Sequence, residues 1–216
     1  MRGFAAAALA VLVLGAAANA GMISTTLGDM DGLGFAVPMT PGSTYPVFPF
    51  DNRTASDPTF TDFGRIGETD ANFTFSYSPF SGTVDSALLT FGLAGLEDAH
   101  NDSGQPDWND RLFLDSVEIP GAFDSDYTGI HTYGIVTLAI PSSLYYLLPD
   151  GTAAFFFDAW PSGTVPGIRA GDQVSFDYVT LSIGFTPIQA VSEPQAIVLL
   201  AMGVSTALAL GRLRLW

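Results

Sequence analysis

The densest group of side chains with metal-binding chemistry lies in residues 97–110. This stretch carries five carboxylates, several amide oxygens, a glycine and a proline between two apolar segments. Ca²⁺ takes such hard oxygen ligands at distances of about 2.3–2.6 Å. The predicted calcium ligands are Glu97, Asp98, Asn101, Asp102, Asp107 and Asp110. Their spacing is not that of an EF-hand, so a solvated acidic turn remains the alternative.

A second, smaller acidic group is Asp29-Met30-Asp31-Gly32. Its two carboxylates and its glycine suit either a bound cation or a plain turn. The sequence leaves both interpretations open.

Enzymatic motifs do not occur in the chain. It has no cysteine nucleophile, no Gly-x-Ser-x-Gly, no His-Glu-x-x-His and no glycine-rich phosphate loop. A glycosidase needs only two carboxylates across the scissile bond. Among 22 acidic residues a pair of this kind is expected by chance, so finding one does not indicate a glycosidase. We therefore predict a non-catalytic protein, with a secreted glycan hydrolase as the third-ranked function.

The charge balance limits the partners. The formal net charge is −15 and the chain contains no lysine, so its surface repels nucleic-acid phosphates, and we predict no nucleic-acid partner. Without cysteine there is no disulfide framework, so stability must come from the core and from any bound metal.

The elements that position these groups are predicted to be β-strands. Phe73, Phe75 and Tyr77 alternate with polar residues, as in a half-buried strand. Similar patterns predict strands over 72–77, 83–93, 111–117, 135–140, 153–160 and 174–185, and one short helix over 142–148 capped by Ser142. In the last strand the apolar phase changes between Tyr178 and Val179, which predicts a β-bulge there. The predicted fold is all-β: a single antiparallel β-sandwich over 21–190.

Residues 36–66 combine five prolines with five aromatic side chains. Proline disfavours central strands, and the aromatic side chains give the segment something to bury. We expect an ordered, irregular wrap across the sandwich, with an aromatic ligand-binding face as the alternative.

The two ends of the chain have the pattern of targeting segments. Residues 1–20 combine Arg2, an apolar run and the small-x-small site Ala18-Asn19-Ala20, which predicts a cleaved secretory signal peptide rather than an N-terminal anchor. Residues 191–216 contain Glu193-Pro194, an apolar run over 196–210, and Arg212 and Arg214. The run is predicted to form a C-terminal transmembrane helix with the arginines on the cytoplasmic side. A helix docked on the domain is the alternative.

This C-terminal pattern resembles the PEP-CTERM sorting signal of exported bacterial proteins, in which Pro-Glu-Pro precedes a helix and an arginine cluster. Here Ser192 replaces the first proline and Leu213 separates the two arginines. The resemblance implies an exosortase-type processing enzyme as a partner, and a protein that is first held on the outer side of the membrane and then displayed at the cell surface or released.

The middle of the chain is similar to jelly-roll, galactose-binding-like modules. The similarity rests on Asp110-Arg111-Leu112-Phe113-Leu114-Asp115 and on the final segment Asp177-Tyr178-Val179-Thr180-Leu181. It implies a calcium ion under one edge and a sugar-binding loop face, for which Trp108, Tyr127 and Trp160 are the weak aromatic candidates. The predicted function is carbohydrate binding at the cell surface or in the extracellular matrix. A structural polysaccharide-matrix or biofilm component without a specific ligand is the alternative.

Overall fold

The computed structural model describes residues 20–37, 39–45, 50–64, 70–96, 110–123, 128, 131–158 and 174–188. Residues Ala20–Pro187 form one compact unit. The predicted signal peptide, the acidic loop up to residue 109 and the predicted tail from residue 191 lie outside the described residues. In the part of the chain that is described, no helix is both long and apolar enough to span a bilayer.

Within the described residues, eight strands form two four-stranded antiparallel sheets. The strands are β1 (Gly21–Gly28), β2 (Ala71–Ser76), β3 (Gly82–Ala94), β4 (Arg111–Leu114), β5 (Val117–Glu118), β6 (Tyr133–Ala139), β7 (Thr152–Asp158) and β8 (Ser175–Pro187). One sheet has the order β1-β8-β3-β6 and the other has the order β2-β7-β4-β5. The all-β prediction is therefore confirmed.

The main core lies between the two sheets and is rich in phenylalanine. In β2 every second residue is buried, so Phe73 and Phe75 face inward and pack against Phe155 of β7. From the other sheet, β3 contributes Phe91 and β8 contributes Phe176, whose rings are 5.8 Å apart. Burying rings of this size is the main favourable contribution to the stability of such a domain.

A smaller core lies under the irregular segments that follow β1. Leu33, Tyr45 and Phe50 are buried there against Ala94 of β3 and Tyr133 of β6. The described part of residues 36–66 forms only isolated bridges, such as Thr44–Thr132, and no regular strand. This agrees with the predicted irregular, ordered wrap.

The predicted element boundaries need three corrections. Residues 111–117 are not one strand, because Asp115 and Ser116 both have positive φ and form a two-residue turn between β4 and β5. The predicted helix is a 3₁₀ helix, Ser142–Leu147, whose N-cap is Pro141 without a side-chain hydrogen bond, so the cap is not Ser142. Strand β1 was not predicted, although Ile23 and Leu27 pack against the core in alternation.

Candidate functional site

The structure describes only two of the predicted site residues. Asp110 is buried directly before β4, and Ala20 is exposed directly before β1. The other predicted calcium ligands, aromatic ligands, cleavage residue and sorting residues lie outside the described residues: Ala18, Glu97, Asp98, Asn101, Asp102, Asp107, Trp108, Tyr127, Trp160, Glu193, Pro194, Arg212 and Arg214. Those assignments stay predictions.

Four other carboxylates meet in the described part of the chain. Asp29, Asp31, Asp62 and Asp177 each offer one oxygen, and these oxygens all lie within 4.8 Å of one another. We call this group the carboxylate cluster. Asp62 and Asp177 are buried, Asp31 is half-buried and Asp29 is exposed, so the cluster reaches from the interior to solvent.

Asp177 enters the cluster because of a β-bulge in β8. Gly92 of β3 pairs with Tyr178, whereas Leu93 pairs with Phe176, so Asp177 is the extra residue of the bulged strand. Phe176 and Val179 both face the core, and two residues must fit between them. The bulge predicted at Tyr178–Val179 therefore lies one residue earlier, and it removes Asp177 from the regular ladder, as bulges near functional sites do.

Three hydrogen bonds hold the Asp177 carboxylate in place. The backbone N–H groups of Gly32 and Leu33 donate to Oδ1 at 3.1 and 2.9 Å. The Tyr133 hydroxyl donates to Oδ2 at 2.8 Å. Tyr133 belongs to β6 and must reach across β3, and it passes over Gly92, where a Cβ would collide with the hydroxyl.

Asp62 is positioned by its backbone. Its N–H donates to the carbonyl of Phe176 at 2.7 Å, and its own carbonyl accepts from the N–H of Asn52 at 3.0 Å. Its φ of 51° lies in the left-handed region, which aspartate tolerates better than most residues. Neither carboxylate oxygen has a hydrogen-bond partner among the described residues, and the residue is fully buried.

The electrostatics of the cluster are unfavourable without a counter-ion. Burial, together with the carboxylates of Asp31 and Asp177, raises the pKa of Asp62 to about 8. Burial is also the largest cause that raises the pKa of Asp177, although its hydrogen bonds oppose the shift. The pKa of Asp29 is raised by partial burial and by the charge of Asp31. All these shifts have the sign expected for carboxylates forced together.

Gly28 lets the three chain segments approach one another. It ends β1 with φ of 79°, and a Cβ there would collide with the backbone oxygen of Asp177 and the side chain of Thr61. Asp29 follows Gly28 in the chain, Asp62 follows Thr61, and Asp177 is itself in contact. The close approach at Gly28 therefore brings the carboxylates together.

The cluster has the chemistry of a hard-cation site: several carboxylate oxygens at the distances found around one ion. The sequence indicated half of it, since Asp29-Met30-Asp31-Gly32 was one of the two acidic groups singled out. Asp62 and Asp177 are isolated acids in the sequence; the bulge predicted at Tyr178–Val179 lies next to Asp177, and nothing indicated Asp62.

Comparison with known proteins does not identify a family. No protein-family model matches the sequence, and no curated protein is detectably similar to it.

Proposed function

We propose that this protein is exported, held at the outer side of the membrane by residues 191–216, and displayed at the cell surface or released into the matrix as a non-catalytic, carbohydrate-binding domain. The targeting part is supported by the predicted signal peptide at 1–20 and by the similarity of the tail to an exosortase substrate. The partners in this proposal are an exosortase-type processing enzyme, the membrane and a polysaccharide.

We assign the domain to the jelly-roll architecture. Support comes from its eight strands in two four-stranded sheets, with the orders β1-β8-β3-β6 and β2-β7-β4-β5, in which the chain changes sheet at every connection except β4–β5. Jelly rolls are used by lectin domains, among others. Because one fold serves many functions, the carbohydrate proposal needs a surface that fits the ligand.

The observation that carries the carbohydrate proposal is the outer face of the β1-β8-β3-β6 sheet. One rank of threonines crosses all four strands, in the order Thr26, Thr180, Thr90 and Thr137. Their hydroxyls pair at 2.8 Å between Thr26 and Thr180 and at 3.1 Å between Thr90 and Thr137. We call this rank the hydroxyl face.

The rank on one side of the hydroxyl face carries no charged residue. The next rank runs through Ser24, Ser182, Leu88 and Ala139. Leu88 is 40 % exposed and Ile135 is 48 % exposed, so apolar contact area lies beside the hydroxyls. A surface of hydroxyls and aliphatic groups, on a protein of net charge −15, suits a neutral polysaccharide, which offers the same two kinds of group.

The test is retention of the purified full-length chain, in mild detergent, on a panel of neutral and acidic polysaccharides. We expect retention on a neutral polymer and its loss in Thr137→Glu, which places a charge on the hydroxyl face. Thr74→Glu is the matched control, because Thr74 is an exposed threonine of β2 in the opposite sheet.

Two outcomes would replace the carbohydrate proposal. No retention on any polymer would favour the structural matrix component, whose surface has no specific ligand. Release of reducing sugar from a polymer would favour the glycan hydrolase.

A further inference from the structure

We propose that Asp29, Asp31, Asp62 and Asp177 bind one Ca²⁺ ion. The ion would link the segment after β1, which carries Asp29 and Asp31, and the segment around Asp62 to strand β8, which carries Asp177. This site is separate from the 97–110 loop and from the hydroxyl face. It gives the domain a metal-dependent cross-link in place of a disulfide.

The distances fit calcium. Oxygens on opposite sides of a Ca²⁺ ion are about 4.6–5.2 Å apart, since each lies about 2.3–2.6 Å from the metal. The four oxygens of the cluster lie within 4.8 Å of one another, a spacing compatible with their sharing one ion. Mg²⁺ has shorter bonds, keeps several waters and usually takes one or two carboxylates, which fits a four-carboxylate, half-buried site less well.

Asp62 supplies an independent argument for a ligand. Its side chain is fully buried and directed into the cluster, and in the part of the chain that the structure describes neither oxygen has a hydrogen-bond partner. A buried carboxylate without a partner is strongly unfavourable, and native proteins pair such groups or use them to coordinate metals. Its backbone is fixed to Phe176 and Asn52, so the side chain does not reach solvent by a local movement of a free loop.

Asp177 has the environment of a pre-organised metal ligand. Two backbone N–H groups and the Tyr133 hydroxyl orient both of its oxygens. Metal ligands are typically held by such a second set of hydrogen bonds, which fixes their geometry before the ion binds. Asp29, the exposed member, leaves a route by which the ion enters.

The described arginines do not neutralise the cluster. The Arg53 guanidinium donates to both oxygens of Asp51 and to the carbonyl of Thr59. Arg111 pairs with Glu118 and Asp158 in the other sheet. Arg65, three residues after Asp62, and Arg169, eight residues before Asp177, lie outside the described residues, so they are rival sources of positive charge.

The experiment is a CaCl₂ titration of the full-length chain in detergent, after treatment with a chelator, followed by calorimetry and by thermal unfolding. A parallel titration uses Tb³⁺ excited through tyrosine, since Tyr133 touches the proposed site. We expect a dissociation constant of about 1 mM or below, the range of extracellular calcium modules, and a rise in unfolding temperature as the site fills.

The decisive variant is Asp62→Asn, with Asp85→Asn as the control. Asp85 is an exposed carboxylate of β3, far along the strand from Gly92, and bonds only Thr186 among the described residues. We expect Asp62→Asn to weaken calcium binding about tenfold or more, because affinity depends on ligand charge, and Asp85→Asn to leave it unchanged. If Asp62→Asn fails to fold, the exposed Asp29→Asn must show the same direction of change.

Three outcomes would overturn the proposal. One is the absence of calcium binding in the wild type. Another is a calcium response that survives Asp62→Asn but is lost in Asp102→Asn, which would place the ion on the 97–110 loop. The third is loss of folding in Arg65→Gln without calcium binding in the wild type, which would make arginine the counter-charge. None of these results depends on polysaccharide retention.

Discussion

The inter-sheet core buries apolar rings, whereas the carboxylate cluster buries charged groups. Phe75 and Phe155 are buried against each other and against other rings of the chain, and this packing requires no bound ligand. Asp62 is buried just as completely, but its oxygens have no partner in the described structure. Under the calcium proposal, the core is stable by its own contacts, whereas the cluster needs a bound cation. Three substitutions, taken in order of decreasing effect on stability, and one change of pH test this difference.

The largest loss is expected in Phe75→Ala. Phe75 is fully buried and packs edge-to-face against Phe73 and Phe155. Removing such a ring costs about 3–5 kcal/mol of unfolding free energy. Because the loss is in the core, denaturant unfolding should give the same difference with and without calcium. A loss that disappears at saturating calcium would mean that the two regions are not independent.

The next effect is the pH dependence of the metal-free protein. The pKa of Asp62 is about 8 in the folded state against 3.8 as its ordinary value, so the folded state binds more protons between these pH values. Stability therefore falls as pH rises from about 4 to about 8, by at most about 1.4 kcal/mol per pH unit for this group. The neighbouring charges at Asp29, Asp31, Asp57 and Asp177 act in the same direction.

Denaturant unfolding at several pH values measures this dependence. Saturating calcium, or Asp62→Asn, should flatten it between pH 5 and about 8. A slope that is unchanged in Asp62→Asn would contradict the assignment of the buried charge.

Gly28→Ala should cost less but should also disturb the cluster. The substitution adds a positive-φ penalty of about 1–2 kcal/mol and a collision with the Asp177 backbone oxygen. Gly42→Ala is a matched control, because Gly42 has φ of 90° and open space around its Cβ position. We expect both variants to lose stability and only Gly28→Ala to lose the calcium response. Equal calcium responses in Gly28→Ala and Gly42→Ala would mean that metal binding does not depend on the close approach at Gly28.

The smallest effect on stability is expected in Tyr133→Phe. It removes one hydrogen bond to Asp177, worth about 0.5–1.5 kcal/mol or somewhat more for a charged acceptor. Tyr77→Phe is the control, since its hydroxyl donates to the carbonyl of Leu148 at 2.7 Å, away from the cluster. Calorimetry should show weaker calcium binding, by about tenfold, in Tyr133→Phe alone, as for other groups that orient a metal ligand. Equal affinities in both variants would contradict the orienting role.

The core could be predicted from the sequence because its signals are local. The alternation of Phe73 and Phe75 within β2 is visible in six residues, and so is the phase change in β8 that marks the bulge. The turn at Asp115–Ser116 was not predicted, because an Asp-Ser pair does not indicate two positive-φ residues in the way that Asn-Gly does.

The cluster could be predicted only in part because it is assembled from distant segments. Asp29 and Asp31 are close in sequence, and their spacing indicated a turn or a cation. Asp62 joins them through the parallel bridge of Thr61 to Phe176, more than one hundred residues away. No local pattern around Asp62 encodes that contact, whereas the dense 97–110 loop attracts attention for its composition alone.

The most direct test is an anomalous difference map from crystals of the protein grown with calcium, or with Tb³⁺ as its substitute. We expect one strong peak among Asp29, Asp31, Asp62 and Asp177, about 2.3–2.6 Å from their oxygens for calcium. Well-ordered carboxylates with no peak between them, or a peak only at residues 97–110, would contradict it.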